Sequence, residues 1–128
     1  MLDKNPNKTQ FLSALPISLR SAWSGRLSEL LSPKGALVCV EWPSTKDPKS
    51  GGPPWPLPPS VYTAHLPRPG QKLSYSEDDT LLEEKVGPEA KDGLQRIAHF
   101  HPKRTHNAGI SDGSVTDYVS VWKHKSVA

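Results

Sequence analysis

The chain has 128 residues, of which 34% are apolar, and a mean hydropathy of -0.57. This length suits one domain, but typical globular chains are about 45 to 50% apolar, a figure that also counts glycine, so we do not expect a large core. A net charge of +3, from basic residues scattered along the chain, does not predict nucleic-acid binding. No segment approaches the ~18 consecutive apolar residues of a membrane span.

The cysteine content and the N-terminus bear on the compartment. Cys39 is the only cysteine, which excludes an internal disulfide and agrees with a reducing environment. Residues 1–10 are polar and rich in turn residues, without the apolar core of a signal peptide. They are predicted to form a disordered leader, and the protein is expected to be soluble and cytoplasmic.

The clearest predicted element is a helix from Pro16 to Leu31. Apolar residues recur there at intervals of three and four, which places them along one side of a helix. Pro16 suits a first helical turn, and Pro33 and Gly35 end the helix. The apolar positions are Leu15, Leu19, Ala22, Trp23, Leu27, Leu30 and Leu31.

A strand is predicted at 36–41. The continuous apolar run Ala-Leu-Val-Cys-Val is typical of a strand that is buried on both faces. A helix followed by such a strand forms half of an α/β unit. Residues 118–122 alternate between apolar and polar, which predicts a second strand that pairs in the same sheet.

The other segments give weaker signals. A short helix is predicted at 60–66, after Pro58 and Pro59, and a weak strand at 72–76. Residues 77–93 are acidic and turn-rich, and are predicted to be mobile or partly helical. The pattern at 94–100 fits either a helix or a strand, and 101–113 is predicted to be a basic, glycine-containing loop.

The run Gly51-Gly52-Pro53-Pro54-Trp55-Pro56-Leu57-Pro58-Pro59 is the most specific local feature. Its glycines let the backbone approach a ligand, and its prolines stiffen the chain beside an aromatic ring, so one interpretation is a substrate-side loop. The other is a rigid connector or a polyproline II ligand, because Pro53, Pro56 and Pro59 form overlapping P-x-x-P patterns. Both interpretations remain open at this level.

Charged residues and potential metal ligands also allow a functional and a structural interpretation. Arg20 lies in the first helical turn, where the helix dipole favours anions, so it either meets an anionic substrate or is a solvated base. His99, His101 and His106 lie near Lys103 and Arg104 without a second cysteine or a helical histidine pair, so a solvated basic loop and no metal site are predicted. Cys39, within an apolar run, is predicted to be an inert buried thiol.

Several of these segments together resemble the thiopurine and thiol S-methyltransferase family, particularly its fungal thiol-methyltransferase-like members. The sequence at 11–16, FLSALP, resembles the stretch after the family's fourth strand, and GGPPW at 51–55 resembles the loop beyond its fifth strand. HFHPKRTH at 99–106 and VSVW at 119–122 resemble the C-terminal region of the fungal members. The resemblance extends over residues 11–124.

The resemblance implies an α/β fold, the C-terminal half of a class I methyltransferase with a Rossmann-like, doubly wound sheet and long Pro-rich and polar loops. Residues 11–128 would form a partial domain that supplies the late strands and the acceptor side. The implied reaction transfers the methyl group of S-adenosyl-L-methionine to a small thiol or thiopurine-like acceptor, without a metal. The implied substrate-binding residues are Arg20, Gly51, Gly52, Pro53, Pro54 and Trp55.

The chain departs from the family upstream of Phe11, where the glycine-rich turn, the acidic residue that holds the ribose of the cofactor and the family's fourth strand would lie. The sequence therefore predicts a truncated form, with no catalytic or cofactor-binding residue of its own, that neither binds S-adenosyl-L-methionine appreciably nor acts alone. The alternative is an interaction protein whose P-x-x-P segment binds an SH3- or WW-like domain. Weak nucleic-acid binding through Lys103 and Arg104 ranks third, and no nucleic-acid or membrane partner is expected.

Overall fold

The computed structural model describes residues 8–9, 11–47, 50–103, 110–111 and 114–125. Two helices are present there, α1 (Arg20–Leu30) and α2 (Pro59–His65). Short 3-10 turns occupy Phe11–Ala14, Ile17–Leu19 and Glu83–Lys85. The strands are β1 (Lys8–Thr9), β2 (Leu37–Glu41), β3 (Leu94–Phe100), β4 (Ile110–Ser111), β5 (Ser114–Val115) and β6 (Tyr118–His124).

Four strands form one sheet in the order β1-β2-β6-β3, while β4 and β5 pair with each other separately. β1 is parallel to β2, and β6 is antiparallel to both of its neighbours. β1, β2 and β3 therefore run in the same direction, with β6 inserted between β2 and β3. In the register, Ser120 of β6 lies opposite both Cys39 and His99.

The predicted strand at 36–41 and its pairing with 118–122 are confirmed. Burial alternates along β2, however, so that Leu37 and Cys39 are buried whereas Val38 and Val40 are half-buried. The predicted burial on both faces therefore holds for one face only. Val119 and Val121 of β6 are half-buried as well.

The buried face of the sheet packs against both helices. Trp23 of α1 meets Tyr62 of α2 edge to face, with ring centroids 6.1 Å apart and an interplanar angle of 83°. Since these two rings belong to the same cluster as the β2 side chains, α1 and α2 cover one face of the sheet. The core consists of Leu12, Trp23, Leu37, Cys39, Leu57, Val61, Tyr62, Leu66, Leu94 and Trp122.

The helix predicted from Pro16 begins instead as a 3-10 turn and becomes α-helical at Arg20. Its buried residues are Arg20, Trp23 and Ser24, at the i, i+3 and i+4 positions of one helical face. The buried face shares Trp23 with the predicted apolar stripe, but its other two residues are polar. Leu19 and Leu30 are consequently 45% and 64% exposed.

Three further segments differ from the sequence pattern or decide between its alternatives. Residues 94–100 form β3 because they pair along β6. The predicted strand at 72–76 is reduced to a single bridge between Tyr75 and Leu81. Lys8–Thr9, within the predicted leader, form β1, while 1–7 and 10 lie outside the described residues.

The part of the chain that the structure describes contains no helix that is long and apolar enough to cross a membrane.

Candidate functional site

The shared direction of β1, β2 and β3 brings their carboxyl ends to one edge of the sheet. The chain leaves β1 at this edge to enter the turns that precede α1, and it leaves β2 there to enter the loop that contains residues 51–55. Open α/β sheets bind their ligands outside this edge. The residues singled out from the sequence therefore follow the strand ends at which a ligand site is expected.

Arg20, the first residue of α1, is only 2% exposed. Its Nη1 donates a hydrogen bond to the hydroxyl of Tyr75 and its Nη2 donates to the carbonyl oxygen of Pro56, each at 3.1 Å. No carboxylate of the described residues forms an ion pair with it. A buried cation without a counter-ion is energetically costly, so this position favours an anion nearby. The interpretation of Arg20 as a solvated base is wrong.

A cavity of about 230 Å³ lies beside this cation. Arg20 does not line it, but donates a hydrogen bond to Tyr75, which does. The volume is below the roughly 300 to 1,000 Å³ of drug-sized ligand sites, so it suits a small molecule. The described residues around it are hydroxyl-bearing, basic or apolar, and none is acidic: Ile17, Ser18, Ser21, His65, Lys72, Leu73 and Tyr75.

His65, at the end of α2, completes a buried polar chain. Its Nε2 lies 2.8 Å from the Tyr75 hydroxyl, and the two rings are stacked with centroids 6.1 Å apart. Burial, followed by the charges of Arg20 and Arg68, lowers the pKa of His65 from 6.5 to about 4. The imidazole is therefore neutral at pH 7, and Arg20 and Lys72 are the cationic side chains at this site.

The Gly-Gly-Pro-Pro-Trp loop packs beside Arg20. Gly51 has a φ of 72°, which favours glycine, and a Cβ at Gly52 would lie 2.6 Å from the Trp55 ring. The Trp55 amide donates to the carbonyl oxygen of Ser13 at 2.7 Å, and the next residue, Pro56, accepts from Arg20.

This contact brings the predicted loop and Arg20 together, but the described cavity walls do not include Gly51, Gly52, Pro53, Pro54 or Trp55.

The P-x-x-P alternative depends on the exposure of the same segment. Pro56 and Leu57 are buried, and the Leu57 amide donates to the carbonyl oxygen of Pro43 at 2.8 Å. The middle of the proline run is therefore directed into the protein, whereas SH3- and WW-like domains bind an accessible polyproline II surface.

A second polar cluster lies at the ends of β2 and β3. Glu41 is fully buried and accepts a hydrogen bond from Nε2 of His99 at 3.1 Å. The ring of Tyr118 stacks on both His99 and His101, with centroid distances of 4.5 and 4.1 Å. The prediction of a solvated histidine loop is therefore wrong for His99. His106 lies outside the described residues.

Cys39 is fully buried in the core, and burial raises the pKa of its thiol, an effect to which the charge of Glu41 adds. A thiol that keeps its proton is a poor nucleophile and a poor metal ligand. The cysteine is thus inert, as the sequence predicts.

Neither β1 nor β2 is followed in the described chain by a glycine-rich turn that could hold the adenosine half of S-adenosyl-L-methionine. Within the same ranges, no group of three or more His, Cys, Asp or Glu side chains is arranged to bind a metal ion.

The sequence pattern did not single out Tyr75, His65 or Glu41 as site residues. Tyr75 lies 55 positions from Arg20 in the sequence, in a segment with no clear periodicity, so no local signal links the two. Glu41 could have been found, because it directly follows an apolar strand. A carboxylate at such a position is either exposed or bound to a buried partner.

No protein-family model, curated protein or solved structure matches the chain. The functional assignment therefore depends on the geometry of this chain and on the resemblance carried by its motifs.

Proposed function

We propose that this chain forms the acceptor side of an S-adenosyl-L-methionine-dependent methyltransferase that transfers a methyl group to a small thiol. The observation that carries the proposal is the buried guanidinium of Arg20, which has no counter-ion among the described residues and is hydrogen-bonded to a residue that lines a small cavity. A free thiol titrates near ~8.5, and a nearby cation lowers that pKa. Such a site favours the thiolate, which is the nucleophilic form.

The strand order supports the class I methyltransferase fold that is part of this proposal. In that fold the last strand is antiparallel and is inserted between the fifth and sixth strands. The order β1-β2-β6-β3, with β6 antiparallel to both neighbours, is what the fourth, fifth, seventh and sixth strands would give. Fold-level analogy is supporting evidence only, because one fold carries many functions.

The role of these residues is confined to the acceptor. Arg20 and Lys72 supply positive charge at the cavity, and Ile17 and Leu73 supply apolar walls for the body of a small thiol. The acceptor thiol would release its proton to bulk water, be held as the thiolate and be oriented for attack. The proposal assigns the described residues no contact with the methyl donor. A cytoplasmic location belongs to the same proposal, since Cys39 is buried and reduced.

The test is a chimera in which residue 11 onward is joined to the N-terminal half of a fungal thiol-methyltransferase-like protein. We expect methylation of at least one small thiol in a broad panel. Arg20→Ala should then lower kcat/KM by about 5- to 150-fold, which corresponds to a loss of about 1 to 3 kcal/mol of a charge-assisted contact. Affinity for the cofactor should not change.

The matched control is Arg26→Ala, on the same helix. Its side chain is 70% exposed and pairs with Glu29 at 3.1 Å, so kcat/KM should remain near that of the parent chimera. A folded chimera that binds the cofactor but methylates no thiol would contradict the proposed function. Full activity of Arg20→Ala would contradict only the role given to that residue.

A further inference from the structure

Tyr75 is the side chain at which the buried cation, the buried histidine and the cavity meet. Its hydroxyl accepts a hydrogen bond from Arg20 Nη1 at 3.1 Å and lies 2.8 Å from His65 Nε2. The guanidinium carbon of Arg20 is 5.4 Å from the centre of the Tyr75 ring. Tyr75 lines the cavity, whereas Arg20 does not. The direction of the hydrogen bonds at this oxygen therefore decides what the cavity presents to a ligand.

Arginine can only donate, so the bond from Arg20 occupies one lone pair of the Tyr75 oxygen. A neutral His65 carries one ring proton, on either Nδ1 or Nε2. Its Nδ1 is buried without a partner among the described residues. A proton on Nδ1 would bury an N–H group that has no acceptor, which is the rarer and costlier arrangement, whereas a proton on Nε2 leaves only a lone pair unpaired.

His65 accordingly donates from Nε2 to Tyr75, and the tyrosine oxygen accepts two hydrogen bonds. Its own proton is then left without an acceptor among the described residues, on a side chain that lines the cavity. Two donors, one of them a cation, polarise the hydroxyl and make it a stronger donor. Burial raises the pKa of Tyr75 above 10.0, although Arg20 opposes that rise, so the proton stays on the oxygen at neutral pH.

We propose that the Tyr75 hydroxyl donates a hydrogen bond to the anionic sulfur of the acceptor, and that Arg20 acts through this hydroxyl without touching the acceptor. The identity of the ligand rests on the proposed function. Tyr75 thereby becomes a binding residue, and Arg20 and His65 become positioning residues that orient and polarise it. The cavity distinguishes an ionisable thiol from a neutral sulfide of the same size.

The test measures binding to the full 128-residue chain by calorimetry, with thiophenol and its methyl sulfide, thioanisole, as probes. At a pH at which free thiophenol is largely ionised, we expect thiophenol to bind at least tenfold more tightly than thioanisole. Tyr75→Phe, which keeps the ring, should weaken thiophenol binding by about 10- to 100-fold, the range for a hydrogen bond to a charged group. Binding of thioanisole should change little.

The control is Tyr118→Phe, which removes a tyrosine hydroxyl from the separate histidine stack and should leave both affinities unchanged. The inference would be overturned if the wild-type chain bound the two probes equally. It would also be overturned if Tyr75→Phe bound thiophenol with wild-type affinity.

If the Tyr75→Phe variant does not fold, the inference can be tested by NMR on the wild-type chain instead. With carbon-13-labelled tyrosine, the Cζ resonance of Tyr75 should shift on saturation with thiophenol and remain in place with thioanisole. A Tyr75 Cζ chemical shift that stays unchanged when thiophenol is bound would refute the inference. The proposed function is tested separately, by the chimera. It fails if the chimera binds the cofactor but methylates no thiol.

Discussion

Glu41 on β2 and His99 on β3 are joined by a hydrogen bond of 3.1 Å that crosses the intervening strand β6. The second carboxylate oxygen of Glu41, Oε2, is buried without a partner among the described residues. His99 is therefore the group that compensates this buried carboxylate. The bond ties three strands together at the carboxyl edge of the sheet.

Removal of the histidine should be strongly destabilising. His99→Ala leaves the Glu41 carboxylate buried and unpaired, so the free energy of unfolding in urea should fall by about 3 to 5 kcal/mol. The double variant Glu41→Gln/His99→Ala should recover part of this loss, because a neutral amide is cheaper to bury than a carboxylate. The control is His101→Ala, because His101 is exposed and stacks on Tyr118 as His99 does. If His101→Ala lowered the free energy of unfolding as much as His99→Ala, the role of His99 as the partner of Glu41 would be contradicted.

Stability should fall in mild acid because of His65. Its folded pKa of about 4 is below the unfolded value of 6.5, so the unfolded chain binds the extra proton first as the pH falls. The contribution is present in full above pH 6.5, declines between 6.5 and about 4, and amounts to about 3 kcal/mol over that interval. Urea titrations from pH 7 to pH 4 should show this slope, and His65→Asn should flatten it. An unchanged slope in His65→Asn would assign the effect elsewhere.

Arg20→Met should separate stability from binding. The substitution removes a buried cation that has no counter-ion, but it also leaves the Tyr75 hydroxyl and the Pro56 carbonyl without their donor. These effects oppose each other, so the free energy of unfolding should stay within about 1 kcal/mol of the wild type or rise. Thiophenol binding should weaken in the same variant by no more than the roughly 10- to 100-fold expected for Tyr75→Phe, because Arg20 acts on the ligand only through Tyr75. A large loss of stability would show that the guanidinium is chiefly a structural group.

The Gly-Gly-Pro-Pro loop should tolerate no side chain at its second position. In Gly52→Ala the new Cβ would lie 2.6 Å from the Trp55 ring, so the ring or the backbone must shift, at a cost of about 1 to 3 kcal/mol. Gly87→Ala is the control, because a Cβ there meets no atom within 4 Å. Thermal denaturation of both variants measures the difference. Equal melting temperatures would mean that the loop adjusts freely around Trp55.

The strands were more predictable than the helix. The apolar run that ends at Val40 and the alternation of apolar and polar residues at 118–122 each predicted a strand. Both strands are present in the structure. The apolar stripe of α1 was less informative, because the buried helical face also includes the polar residues Arg20 and Ser24. Hydrophobic periodicity alone cannot place such a face. The segment 94–100 was decided by its pairing with β6, a tertiary effect that no local pattern contains.

The candidate site was predictable only in part. Arg20 was identified through the family resemblance and its place at a helix start. Tyr75 and His65 could not be found in this way, since their roles arise from a hydrogen-bond chain between distant segments. Spacing rules describe neighbours within one element, whereas these contacts connect the start of α1, the end of α2 and the chain beyond it.

The position of β6 between β2 and β3 has a consequence for synthesis on the ribosome. β2 and β3 both emerge before the strand that joins them, so the nascent chain can form its helices but not its central antiparallel pairs. The β2–β6 pair joins segments that are far apart in sequence, and such contacts form slowly. Until β6 is available, the edges of β2 and β3 that face it have no strand to pair with, so the sheet is completed last at its centre.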